Sequence, residues 1–122
     1  MTNTINASLF QEMIQAASTR LNNQAEYVNS LNVFPVPDGD TGTNMGMTIT
    51  NGAKAVSDNT GETVGQVAAI LSKGLLMGAR GNSGVILSQI FRGFGQAIKD
   101  EDVFTAENLA KAFQNGVEVA YK

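Results

Sequence analysis

Residues 105–122 read T-A-E-N-L-A-K-A-F-Q-N-G-V-E-V-A-Y-K, and their spacing decides the fold class. Leu109, Ala112, Phe113, Gly116, Val117 and Ala120 recur at steps of three and four, the beat of one face of an α-helix. Thr105 stands where an N-cap belongs, and Glu107 puts a negative charge beside the positive end of the helix dipole. The same beat runs back through the chain. Ile86, Ile90, Phe94 and Ala97 form a stripe that starts after Asn82-Ser83. Val64, Val67, Leu71 and Leu75 form another, with Ala68 and Gly78 beside it. Met45, Ile49, Ala53 and Val56 mark a shorter helix, with Thr43 placed to cap it. Leu9, Met13, Ala17, Leu21, Val28 and Leu31 make one long helix, opened by a capping box of Ser8 with Gln11. No stretch alternates with period two and no segment repeats. The pattern predicts an all-α bundle of about five helices.

Composition narrows the chemistry. The chain has 122 residues, enough for one core and no second domain. Eight basic against eleven acidic residues exclude a strongly basic nucleic-acid binder. No apolar run approaches the roughly eighteen residues of a membrane span, so no transmembrane segment is expected. Met1 to Ala7 lacks the basic-then-apolar pattern of a signal peptide, which makes the cytoplasm the expected compartment. There is no cysteine, which excludes disulfides and thiolate metal sites. There is no histidine, which excludes imidazole acid–base chemistry and the triads built on it. The last stripe is still in pattern at Tyr121 and Lys122, without a glycine stop. Residues 1–122 are therefore expected to be the N-terminal portion of a longer domain.

Two loops stand out from the helical pattern. The first, Leu31 to Asn44, reads L-N-V-F-P-V-P-D-G-D-T-G-T-N. A turn between helices explains Pro37-Asp38-Gly39. It does not explain a second carboxylate at Asp40. In extended chain, residues two apart project to the same side, so Asp38 and Asp40 repel unless a cation sits between them. Magnesium suits such oxygen-only ligands and shares them with substrate phosphates. Asn32, Thr41 and Thr43 add neutral oxygens. An EF-hand is excluded, because the position that needs its bidentate glutamate is Ile49. Gly42, Thr43 and Asn44 then lead into a helix N-terminus, a natural anion site. A metal–phosphate site and a structural turn both remain open on the residues alone.

The second loop is Gly78-Ala79-Arg80-Gly81-Asn82-Ser83-Gly84. Asn82 and Ser83 could simply cap the next helix. Capping does not call for glycine at both Gly81 and Gly84, nor for Arg80. Backbone donors, the Ser83 hydroxyl and Arg80 suit the phosphates of a nucleotide. Neither loop is a P-loop, and no G-x-G-x-x-G occurs.

With both loops in view, the sequence resembles the ATP-binding DhaL family. That family comprises the L subunit of dihydroxyacetone kinases and the related N-terminal domain of bacterial fatty acid kinases. The resemblance covers the whole chain. It rests on N-V-F-P-V-P-D-G-D-T-G-T-N-M, Asn32 to Met45, and on K-G-L-L-M-G-A-R-G-N-S-G-V-I-L-S-Q-I-F-R-G, Lys73 to Gly93. It implies an eight-helix barrel with ATP and two magnesium ions at one end, of which this chain supplies about five helices. Asp38 and Asp40 match the metal-bridging aspartates, the catalytic residues that the resemblance implies. Thr41, Thr43 and Asn44 match residues lining the phosphates, and Gly81, Asn82 and Ser83 match the second phosphate loop. Two departures favour the fatty acid kinase branch. Asn32 is the nearest counterpart of a further metal-binding aspartate, and Thr41 stands where dihydroxyacetone kinases carry histidine.

The resemblance implies transfer of the ATP γ-phosphate to a fatty acid carboxylate held by a fatty-acid-binding partner. The product would be an acyl phosphate that feeds phospholipid synthesis. A carboxylate is ionised at neutral pH and needs no general base, which agrees with the absence of histidine. The alternatives are the ATP-binding subunit of a dihydroxyacetone kinase and a non-catalytic nucleotide-binding regulatory module. With helices missing from the barrel, pairing with a second copy is a further expectation.

Overall fold

The structure is a computed structural model that describes residues 4–31, 40–59 and 61–121. It is all-α, with 80% of it in helices. The six helices are α1 (Ala7–Asn23), α2 (Ala25–Ser30), α3 (Thr41–Asp58), α4 (Val64–Met77), α5 (Gly81–Ala97) and α6 (Ala106–Ala120). Helix α3 packs on α1, α2, α4 and α5, whereas α6 packs on α5 alone among the helices.

Helix α4 is the buried centre, and its sequence says why. Val64, Val67, Leu71 and Leu75 are each at most 1% exposed, and burying one such side chain contributes about 1.5–3 kcal/mol. Thr63 caps the helix by accepting from the Gln66 N–H. The N–H groups of Val64 and Gly65 donate to the carbonyls of Asp102 and Glu101, which docks this end on the α5–α6 connection. Beside α4 lies a phenylalanine cluster. Phe10 meets Phe104 edge-on at 4.8 Å between ring centroids, and Phe94 lies 5.5 Å from Phe104 and 5.0 Å from Phe113. One antiparallel bridge, Ile5 with Phe104, ties the segment before α1 to that before α6.

Close helix crossings are made by small residues and locked by asparagines. Where α3 crosses α4, Gly74 faces Gly52, and Asn51 Nδ2 donates to the Gly74 carbonyl at 2.6 Å. Where α5 crosses α6, Gly93 faces Gly116, and Asn115 Nδ2 donates to the Gly93 carbonyl at 2.6 Å.

Several expectations need correction. The first helix is two, broken at Gln24, with α2 taking up Val28. Its cap is Asn6, whose side chain accepts from the Leu9 N–H at 2.9 Å, and not Ser8. Gln11 instead reaches the Gly61 carbonyl. The buried face of α1 is Ala7, Phe10, Ile14 and Ser18, while Leu9 and Met13 are more than 40% exposed. The stripes on α5 and α6 are wider than what is buried: Phe94 and Ala112 are covered, but Ile86, Phe113 and Val117 are about half exposed. The capping box at Thr105 is present, closed by Asn108. Among the described residues no helix is long and apolar enough to cross a membrane.

Candidate functional site

The N-termini of α3 and α5 lie side by side. Each begins with a short run of small polar residues, Thr41-Gly42-Thr43-Asn44 and Gly81-Asn82-Ser83-Gly84. Ser83 Oγ donates to the Thr41 carbonyl at 3.1 Å, joining the first turns directly. Gly81 is the only described residue with positive φ, at 64°, a conformation that glycine adopts without steric cost. A Cβ there would also collide with the Asn44 side-chain amide, so the same glycine lets the two helix ends meet.

Both helix starts differ from the simplest capping expectation. Helix α3 begins at Thr41 with Asp40 in the cap position, and α5 begins at Gly81 with Arg80 in the cap position. Neither cap residue bonds its helix through its side chain. Thr43, Asn82 and Ser83 are therefore not caps but members of the first turn. First-turn N–H groups have no intrahelical acceptor. Those of Gly81, Asn82 and Ser83 find none elsewhere among the described residues. They supply positive partial charge at one spot, the requirement for holding an oxyanion.

Helix α3 is capped from outside. Asn29 of α2 accepts from the Thr43 N–H at 3.0 Å and donates through Nδ2 to Thr43 Oγ1 at 2.9 Å. That hydroxyl accepts from Asn29, and its own proton has no acceptor among the described residues. Ser83 is the converse: its proton is committed to the Thr41 carbonyl, so it offers lone pairs. Behind the two turns lies Thr48, fully buried, whose hydroxyl donates to the Asn44 carbonyl and accepts from the Arg80 N–H. Asn29 and Thr48 were not singled out in the sequence. Thr48 carries a weak signal, since Asn44, Thr48 and Gly52 recur every four residues on one face of α3.

Of the residues expected at the site, the structure thus brings together Thr41, Thr43, Asn44, Gly81, Asn82 and Ser83, with Asp40 at the open end of α3. Asp38 and Asn32 lie outside the described residues. Asp40 is exposed, and its backbone carbonyl accepts from the Asn44 N–H at 2.9 Å. Among the described residues no group of three or more potential metal-ligating side chains forms a cage. The donors present are a carboxylate, hydroxyls and amide oxygens. That set fits a hard divalent cation shared with phosphate oxygens, not an all-protein metal site.

The sequence profile described as "DAK2 domain" matches residues 35–122, most of the chain, and leaves out Asn29 and Asn32 of the residues named above. The chain belongs to the DAK2-domain family. DAK2 domains belong to kinase-related families. Its relatives include an uncharacterized protein of Staphylococcus haemolyticus, 55% identical over all 122 residues of this chain and 22% of the relative. Uncharacterized proteins of Staphylococcus epidermidis and Staphylococcus aureus strain USA300 are each 54% identical, with the same coverage. The chain spans about a fifth of the length of the curated relatives it matches.

Proposed function

We propose that this DAK2 domain binds magnesium–ATP across the paired N-termini of α3 and α5 and belongs to a fatty acid kinase. The observation that carries the reading is the junction of the two turns through Ser83 and the Thr41 carbonyl, beside first-turn N–H groups that have no acceptor among the described residues. Phosphoryl transfer relies on positioning and charge neutralisation more than on covalent chemistry from the protein. Magnesium, when bound, neutralises the phosphate oxygens; Asp38 and Asp40 would hold it, with Asn32 as a neutral oxygen donor. The N–H groups of Gly81, Asn82 and Ser83, with the Thr43 hydroxyl, would donate to the phosphates. Asn44 would line them beside Gly81. In the transfer a carboxylate oxygen of the fatty acid bonds to the γ-phosphorus, and the bond to the bridging oxygen breaks. The electron pair leaves with ADP, and no proton need be moved.

The acceptor would be presented by a separate fatty-acid-binding protein, as in the family the sequence resembles. Mixed with ATP, magnesium and free fatty acid, this chain alone is expected to form no acyl phosphate. Steady acyl phosphate formation by the purified chain would contradict that requirement. An acceptor screen on the protein with its partner tests the branch. Transfer to dihydroxyacetone in place of a fatty acid would overturn it in favour of a glycerone kinase. Nucleotide bound but never turned over would favour a regulatory module.

A further inference from the structure

The two phosphate-binding turns come from helices separated in sequence by the whole of α4, so something must set their spacing. Ser83 joins them at the surface. The buried connection is Thr48, which is 0% exposed. Its Oγ1 donates to the Asn44 carbonyl at 2.7 Å and accepts from the Arg80 N–H at 3.1 Å. One hydroxyl thus uses its proton on the first turn of α3 and a lone pair on the residue just before α5. Arg80 is the cap residue of α5, so fixing its N–H fixes where the following three N–H groups point. Gly84 closes the arrangement: a Cβ there would strike Thr48 Oγ1, so α5 approaches as closely as glycine permits.

We propose that Thr48 is a positioning residue, a buried latch that holds the α3 and α5 N-termini at phosphate-binding spacing. The inference rests on the magnesium–nucleotide reading above. Valine has nearly the shape of threonine but can bond neither the Asn44 carbonyl nor the Arg80 N–H. Serine keeps both bonds and loses only the methyl group. Thr48→Val should weaken magnesium–ATP binding about tenfold or more, since the part-buried bond from the Arg80 N–H loses its acceptor. Thr48→Ser should stay within about threefold of the parent, a difference of well under 1 kcal/mol. Gly84→Ala, which leaves the hydroxyl in place but forces α5 away from it, should weaken binding as the valine variant does.

The test is titration of each variant of this chain with magnesium–ATP, alongside thermal melts and amide hydrogen exchange at Arg80. Affinity that follows the hydroxyl and not the melting temperature supports the latch. Parent-like binding by Thr48→Val, or equal weakening in the valine and serine variants, overturns it. If Thr48→Val does not fold, Gly84→Ala against Thr48→Ser decides by the same comparison. A parent that binds no magnesium–ATP overturns the reading of the site. The latch is then judged by exchange alone: slow at Arg80 in the parent and Thr48→Ser supports it, fast in either overturns it.

Discussion

Asp40→Ala is expected to abolish phosphoryl transfer while leaving the thermal melt nearly where it was. The carboxylate is exposed and does not cap α3, and the turn bond at this residue is made by its backbone carbonyl, which alanine keeps. What the side chain gives the fold is its charge near the helix N-terminus, worth about 0.3–1 kcal/mol. If Asp38 and Asp40 hold magnesium against the phosphates, losing either should cost the metal–nucleotide complex about 1.5–3 kcal/mol or more, the range for a bond to a charged group. Deleting one of two repelling carboxylates also relieves repulsion wherever no cation separates them, so Asp38→Ala should not lower the melt through charge. Turnover assays with the acceptor protein, run beside melts of the same variants, read both effects. Variants that turn over like the parent but melt far earlier would return the acidic pair to a structural turn.

Phe94→Ala is expected to do the opposite. Phe94 is 2% exposed at the middle of the aromatic cluster, within 5.5 Å of Phe91, Phe104 and Phe113 between ring centroids and 6.2 Å from Phe10. Truncating such a side chain to alanine costs about 3–5 kcal/mol, a large share of the roughly 5–15 kcal/mol that holds a domain folded. Phe94→Leu should recover a good part of this, because it refills most of the cavity. The site should not notice, since Phe94 lies roughly 20 Å along α5 from Gly81 at 1.5 Å per residue. Denaturant unfolding gives the loss, and titration of the folded variant at low temperature gives the affinity. A variant as stable as the parent would remove the aromatic cluster from the centre of the fold.

How legible these features were depended on how local their causes are. The α4 stripe was readable because Val64, Val67, Leu71 and Leu75 are apolar and are all buried. The cap at Thr105 was readable because a threonine directly ahead of an apolar stripe is a local pattern, although the box it makes with Asn108 was not, and the one expected at Ser8 is absent. The face of α1 was not. Leu9 and Met13 keep the same four-residue step as Phe10 and Ile14, and only the phenylalanines of α5 and the α5–α6 connection choose between adjacent faces. The break at Gln24 has neither proline nor glycine to announce it. At the site, the glycines and hydroxyls of Thr41–Asn44 and Gly81–Ser83 marked two helix starts. Their joining was not visible, because it depends on Asn29, Thr48 and Ser83 bonding to residues 14, 32 and 42 positions away.

If the paired helix ends take ATP together with magnesium, neither should bind there well without the other. Calorimetric titration of this chain with ATP, with magnesium present and with the metal removed by chelation, tests it most directly. Binding should require magnesium and be weakened by Asp40→Ala. Equal ATP binding with and without the metal, or none in either case, would contradict it.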